Sequence, residues 1–227
     1  MQNKFFIFTI SLLALTLVAC GGKKEATVDT ADQAAVAEAN STAVEYAVDL
    51  GASSLAWTAK KVTGQHNGVV PITEGSFSME NGTVTAGSFT IDMASLKVLD
   101  IEDEETNGKL TGHLNSPDFF NTAEFPAASF EVTKAVAVAD DSTKTHDISG
   151  NLTIKGISKE ITFPANVSLT DGTFAAMADF NIDRTEWDIR YGSGKFFEDL
   201  GDKTIYDDIN LVLNLVAKPA TSPTAMR

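Results

Sequence analysis

The sequence predicts an all-β domain, an antiparallel sandwich or barrel, and three observations carry that prediction. Apolar and polar residues alternate through most of a stretch running roughly from residue 45 to 218. Tight-turn dipeptides such as Asn81-Gly82, Lys155-Gly156 and Asp171-Gly172 separate the alternating runs. Helical periodicity is confined to one segment. Many short strands joined by tight turns close into a sandwich or a barrel, because a lone sheet leaves its apolar face wet.

At the N-terminus, Lys4 precedes an apolar run from Phe5 to Val18, which is too short to span a bilayer and has the proportions of a signal-peptide core. The run ends in Leu17-Val18-Ala19-Cys20-Gly21, an order that resembles the bacterial lipobox. Residues 1–19 are therefore expected to be removed and Cys20 to carry the acyl chains of a lipoprotein, each buried methylene contributing about 0.8 kcal/mol to anchorage. Gly21 and Gly22 follow in place of the Asp that commonly retains lipoproteins at the inner membrane. The expected location is the outer membrane, on its periplasmic face or at the cell surface.

Residues 20–44 are rich in Ala, Thr, Asp and Glu and contain no aromatic residue. They predict a disordered tether with too little apolar surface to offset the entropy of ordering. The domain proper then spans 45–218, and 219–227 reads as a disordered tail.

Within the domain, Phe89, Ile91 and Met93 share one face of a strand and Ser88, Thr90 and Asp92 the other. The same period recurs at 129–132, 151–154, 161–163 and 180–182, and the last strand turns Ile209, Leu211, Leu213 and Leu215 inward. Between Glu104 and Phe120 the period changes: Leu110, His113 and Leu114 fall at helical spacing. Ser116-Pro117 reads as an N-cap and first-turn proline, so two short helical pieces are expected here.

The formal net charge is −14, and loss of Lys4 with the signal makes it one unit more negative. Such a surface repels phosphate backbones, so nucleic acid is not expected as a partner. Cys20 is the only cysteine, so no intrachain disulfide forms and the fold stands on its core. None of the three histidines pairs with another at metal-binding spacing. The nucleophile elbow, Walker and dinucleotide motifs are absent. The acidic run Glu102-Asp103-Glu104-Glu105 lacks the ligand alternation of a calcium loop and suits a helix start. No catalysis, cofactor or metal is expected.

Further along, the residues resemble the YceI-like family. The likeness is carried by Tyr46-Ala47-Val48-Asp49, Ser54, Trp57, Lys60, His66, Gly68, Gly75 and Ile91-Asp92-Met93. It continues through the segment Leu110 to Phe120, Phe125-Pro126-Ala127-Ala128-Ser129-Phe130, Gly150 to Gly156, and Asp183-Arg184-Thr185-Glu186-Trp187. The resemblance implies an extended, lipocalin-like antiparallel β-barrel of about eight strands with one or two short helices. It also implies a lumen that holds a polyisoprenoid or another long-chain lipid. Members are commonly soluble in the periplasm, and the lipobox departs from that pattern.

Inward phase and the resemblance together nominate Trp57, Phe77, Phe89, Ile91, Met93, Leu114, Phe119, Phe120, Phe130, Phe180 and Trp187 for the lumen. His66, His113 and Arg184 are nominated for the mouth, where Arg184 either holds a phosphate bidentately or pairs with Asp183, Glu186 or a strand carboxylate. The expected function is a membrane-anchored lipid-binding protein serving transport, storage or sequestration. The alternative is a structural or stress-related barrel that acts through a protein partner, by its acidic surface or its 92–126 segment. The sequence leaves a homodimer open.

Overall fold

The computed structural model describes residues 27–36, 42–139 and 141–220. The signal segment, Cys20 and residues 221–227 lie outside the described residues. In chain order the strands are β1 (Thr30–Asp32), β2 (Val44–Val48), β3 (Ser54–Lys61), β4 (Gly64–Val70), β5 (Ile72–Glu80), β6 (Thr83–Asp92), β7 (Lys97–Val98), β8 (Ala127–Ala137), β9 (His146–Ile154), β10 (Ile157–Thr170), β11 (Thr173–Asp183) and β12 (Ile205–Pro219). One α-helix, α1 (Glu104–Asn115), interrupts them, and short 3₁₀ turns cover 93–95, 184–187 and 201–203.

Eight strands close an antiparallel barrel in the order β2, β5, β6, β8, β9, β10, β11, β12 and back to β2. The wall beside β12 is built in two lengths. β2 pairs with its last residues, Ala217 to Pro219, while β3 pairs with Ile205 to Asn214 and brings the β3–β4 hairpin with it. β4 runs through Pro71 into β5, so the hairpin completes one end of the barrel and β2 the other.

The expected turn dipeptides supply three of the hairpins: Asn81-Gly82, Lys155-Gly156 and Asp171-Gly172 all adopt positive φ at both residues, the geometry whose twist matches that of the flanking strands. Inward phase follows the alternation. Phe130, Leu152, Phe163, Ile182, Leu213 and Leu215 are buried in one continuous core, because alternate side chains of every strand point into the barrel.

The helix begins where the acidic run places it. Asp103 caps it, its carboxylate accepting from the Thr106 N–H at 2.9 Å, and Glu104 and Glu105 sit in the first turn, where the helix dipole favours negative charge. The second helical piece expected at Ser116-Pro117 is absent. Ser116 is the C-cap of α1 itself, its hydroxyl donating to the His113 carbonyl at 2.7 Å, and 117–120 form tight turns held by the Phe119 and Phe120 N–H groups.

The tether expectation is also corrected in part. Thr30–Asp32 adds a strand to β10, from Thr30 opposite Ile161 to Asp32 opposite Lys159. Backbone pairing supplies what apolar burial cannot, and it is reinforced by a two-way bond: Ala34 N–H donates to Asn151 Oδ1 at 2.9 Å and Asn151 Nδ2 donates to the Ala34 carbonyl at 2.8 Å. Asn151 is fully buried under this strap. β2 starts at Val44 and β12 runs through Pro219, one residue beyond each expected domain boundary.

Candidate functional site

The barrel interior is hollow in two places. One cavity lies toward α1, bounded by Leu55, Trp57, Ile91, Leu114, Phe119 and Ile182 among others. The second lies toward the other end, bounded by Val48, Phe77, Phe130, Phe163, Phe174 and Leu215 among others. Counted as room for the centre of a water-sized sphere, they measure about 80 and 60 Å³.

Both walls are overwhelmingly apolar, so neither cavity offers water the several polar partners it needs to be held. Small residues make the room: Ala59 and Ala128 face the α1-side cavity, and Ala165, Ala176 and Ala178 face the other. Gly68 permits Trp57 to lie across its strand partner, since a Cβ there would stand 2.8 Å from the indole and 1.8 Å from the Lys97 carbonyl oxygen. The buried indole N–H of Trp57 has no hydrogen-bond partner among the described residues.

A shallower cleft adjoins the α1-side cavity and shares Trp57, Ala59, Leu114, Phe119 and Ile205 with it. Its other walls are Lys60, Lys61, His66 and Leu110. Lys60, Lys61 and His66 thus border this end, which we name the mouth, around a cleft whose own surface is almost wholly apolar.

The nominated residues fall into four positions. Trp57, Ile91, Met93, Leu114, Phe119 and Phe120 line the mouth-side cavity; Phe77, Phe89 and Phe130 line the far one. Phe180 is buried between the two, stacked on Phe163 at 4.3 Å. Trp187, expected in the lumen, borders neither cavity: it is completely buried and its indole N–H donates to the Leu152 carbonyl at 3.0 Å.

Of the mouth residues, His66 lines the cleft and its Nδ1 lies 2.8 Å from the Asp100 carboxylate. His113 packs edge-on against Phe119 and Tyr191, with ring centroids 5.0 and 4.6 Å away. Arg184 requires correction. It borders the mouth-side cavity but only 1% of it is exposed, and its guanidinium donates to the carbonyls of Ile189 (2.6 Å), Ile205 and Tyr206 (both 3.2 Å) and to Asp207 (3.4 Å). Burial pushes its pKa down, and the charges of Asp207 and Asp183 push it back up. Such a fork is already filled and has no pair of donors left for a phosphate.

Sequence reasoning passed over Phe163, Val48, Leu55 and Phe174 as lumen residues. Phe163 carried a signal, its inward phase in the run 161–163, and so did Leu211, Leu213 and Leu215. For Val48 and Leu55 no alternation was long enough to show that β2 and β3 share one edge of β12. Among the described residues no group of His, Cys, Asp and Glu is placed to hold a metal ion.

The YceI-like domain matches residues 46–217 of this chain. A UPF0312 protein of Shewanella denitrificans is 32% identical over 93 residues, 41% of this chain and 44% of that protein. One of Pseudomonas aeruginosa is 36% identical over 88 residues, 36% of this chain and again 44% of its own length. The chain thus spans less than half the length of these curated relatives. Two solved structures share the fold. BcnA of Burkholderia cenocepacia superposes with a TM-score of 0.59 at 22% identity, covering 77% of this chain and 99% of BcnA. A polyisoprenoid binding domain from Saccharophagus degradans, implicated in plant cell wall breakdown, superposes at 0.57 and 17% identity, covering 78% and 99%.

Proposed function

The chain belongs to the YceI-like domain family, and from that premise we propose that it is a non-catalytic binding protein whose barrel holds a polyisoprenoid or a similar long-chain lipid. The observation that carries this reading is the mouth-side cavity, an apolar hollow that adjoins a cleft whose polar residues, Lys60, Lys61 and His66, stand at its rim. A tail in the hollow and a polar head at the rim fit that distribution. The Saccharophagus structure, a polyisoprenoid binding domain, supports the same reading.

Energetics agree. A five-carbon isoprene unit moved out of water contributes roughly 3–4 kcal/mol, so a few units offset the ~4–15 kcal/mol cost of association. The bilayer competes for such a tail on equal terms, and selectivity therefore rests on the shape of the hollow and on the head contacts. We further propose that acylated Cys20 anchors the barrel to the outer membrane, on its periplasmic face or at the cell surface.

Lipid extraction and mass spectrometry of protein purified without detergent tests the binding role: a stoichiometric isoprenoid or long-chain lipid is expected, and repeated recovery of an empty barrel from membranes rich in such lipids refutes it. Mass spectrometry of the mature N-terminus tests the anchor separately: a diacylglyceryl-modified Cys20 is expected as the first residue, and an unmodified Cys20 in the membrane-bound protein refutes acylation as the attachment.

A further inference from the structure

The lumen holds two cavities with no lining residue in common, and four phenylalanines on one arc of the wall stand at the level between them, three of them lining the far one: Phe89 of β6, Phe130 of β8, Phe163 of β10 and Phe180 of β11. Their ring centroids run in series, 5.4 Å from Phe89 to Phe130, 5.5 Å from Phe130 to Phe163 and 4.3 Å from Phe163 to Phe180.

Strand phase fixes the level of this layer. Two residues toward the mouth, Ile91, Ala128 and Ile182 line the mouth-side cavity. Two residues the other way, Gly87, Val132, Ala165 and Ala178 line the far cavity. Between the flanking strands, Gly150 of β9 leaves the space that the Phe130 ring occupies, since a Cβ there would stand 2.2 Å from Phe130 Cζ. A side chain at 150 would displace the ring, so the layer is built into the backbone spacing as well as the side chains.

We propose that this aromatic layer is a length stop, which limits the part of a long tail held inside the barrel to the mouth-side cavity, leaves the remaining units at the cleft, and so makes Phe130 and Phe163 determinants of chain-length specificity. The proposal rests on reading the lumen as an isoprenoid or long-chain lipid site. From Phe180 to Arg184 is four residues, about 13 Å along a strand and about 10 Å along the axis of a barrel with strands tilted by ~40°. An extended isoprene unit of four carbon–carbon bonds covers roughly 5 Å, so about two units fit below the layer. From Phe180 to Phe174 is a further six residues, about 15 Å along the axis and room for about three more units.

The test measures affinity of the chain for prenyl alcohols of graded length, delivered from cyclodextrin and read by tryptophan fluorescence, in the parent and in Phe163→Ala and Phe130→Ala. For the parent, affinity is expected to climb at least tenfold per unit, with about 160–850-fold as the ceiling set by full transfer from water, to two or three units and then level off. In either variant the climb is expected to continue to about five units. Phe163→Leu, a milder change, is expected to shift the plateau in the same direction if an alanine variant fails to fold. A parent whose affinity keeps rising to five units overturns the stop, and so does an unmoved plateau in folded variants. Absence of binding at every length overturns the lipid-site reading itself, and the stop with it, which is a different result from binding without a plateau.

Discussion

Arg184→Met separates a structural cation from a headgroup ligand. Methionine retains most of the packing of the buried stem but donates nothing. Four acceptors lose their partner, and of these bonds the one to the Ile189 carbonyl is wholly buried while those to Ile205, Tyr206 and Asp207 are partly buried. A buried acceptor left unpaired costs about 1–3 kcal/mol, and a partly buried one that can recruit water costs about 0.5–1. Asp207 keeps Lys195 at 3.8 Å, so it is not stranded. The loss is therefore expected at about 2–5 kcal/mol, which at a urea dependence of ~2 kcal/mol per molar lowers the midpoint by roughly 1–2.5 M. Urea unfolding followed by tryptophan fluorescence reads this directly, because Trp187 is buried three residues away. Lipid affinity measured in the native baseline is expected to change by less than about threefold, since no pair of guanidinium donors is free. A midpoint within about 0.5 M of the parent, combined with a loss of affinity beyond about tenfold, would refute the structural assignment.

Three other outcomes follow from the same geometry. Burial raises the Asp183 carboxyl, but hydrogen bonds from Lys195 and Thr185 outweigh it and hold the group below its ordinary 3.8. Stability from a depressed carboxylate is present above that ordinary value and lost as pH falls through the folded one, so Asp183→Asn should lose less stability than the parent between pH 7 and pH 3, and an equal acid loss in urea melts speaks against the pair. Asn151→Ala removes both bonds to Ala34 and should speed amide exchange along 28–34 by about 5–150-fold, corresponding to about 1–3 kcal/mol; unchanged protection there would mean that β1 holds without it. Ala128→Val intrudes on the mouth-side cavity and should cut lipid affinity by about 10–200-fold while the urea midpoint holds or rises, whereas full affinity in a folded variant would place the ligand elsewhere.

The barrel was legible because its strands are half-buried. Alternation in 87–93 and 209–215, with turn dipeptides that tolerate positive φ, specifies which side chains point inward before any pairing is known. The mouth was less so. Arg184 reads in sequence as either a phosphate fork or the partner of a carboxylate, and the pair with Asp207 matches the second; its other acceptors are backbone carbonyls from the segments around 189 and 205, which leave no trace in side-chain chemistry. Ser116-Pro117 misleads for a related reason: a serine can end one helix as readily as it starts another, and only the His113 carbonyl decides. Thr30–Asp32 joins the sheet through main-chain groups that every sequence possesses, so its composition argued for disorder. Trp187 obeys burial but not direction, lying in a 3₁₀ turn where strand phase does not apply.

An empty interior has to be set against what the same fold would gain by closing it. At about 24 cal/mol for each Å³ of unfilled space, the mouth-side cavity of 80 Å³ forgoes ~2 kcal/mol and the far one of 60 Å³ ~1.5 kcal/mol, an appreciable share of the 5–15 kcal/mol that separates typical folded and unfolded states. Valine or leucine at Ala59, Ala128, Ala165, Ala176 or Ala178 would recover part of it without a change of strand phase. The same chain spends large side chains freely one layer away, where Phe89, Phe130, Phe163 and Phe180 meet ring to ring. Small residues beside the hollows and large ones between them are a pattern of placement, not a shortage of apolar bulk. A barrel whose only task is to stand as a scaffold gains nothing from it, whereas one that binds a tail recovers the missing contacts each time the tail enters. The cost of the vacancy and the affinity for an occupant are then the same quantity read in two states, and that equivalence is why filling the hollow from within and filling it from without should exclude one another.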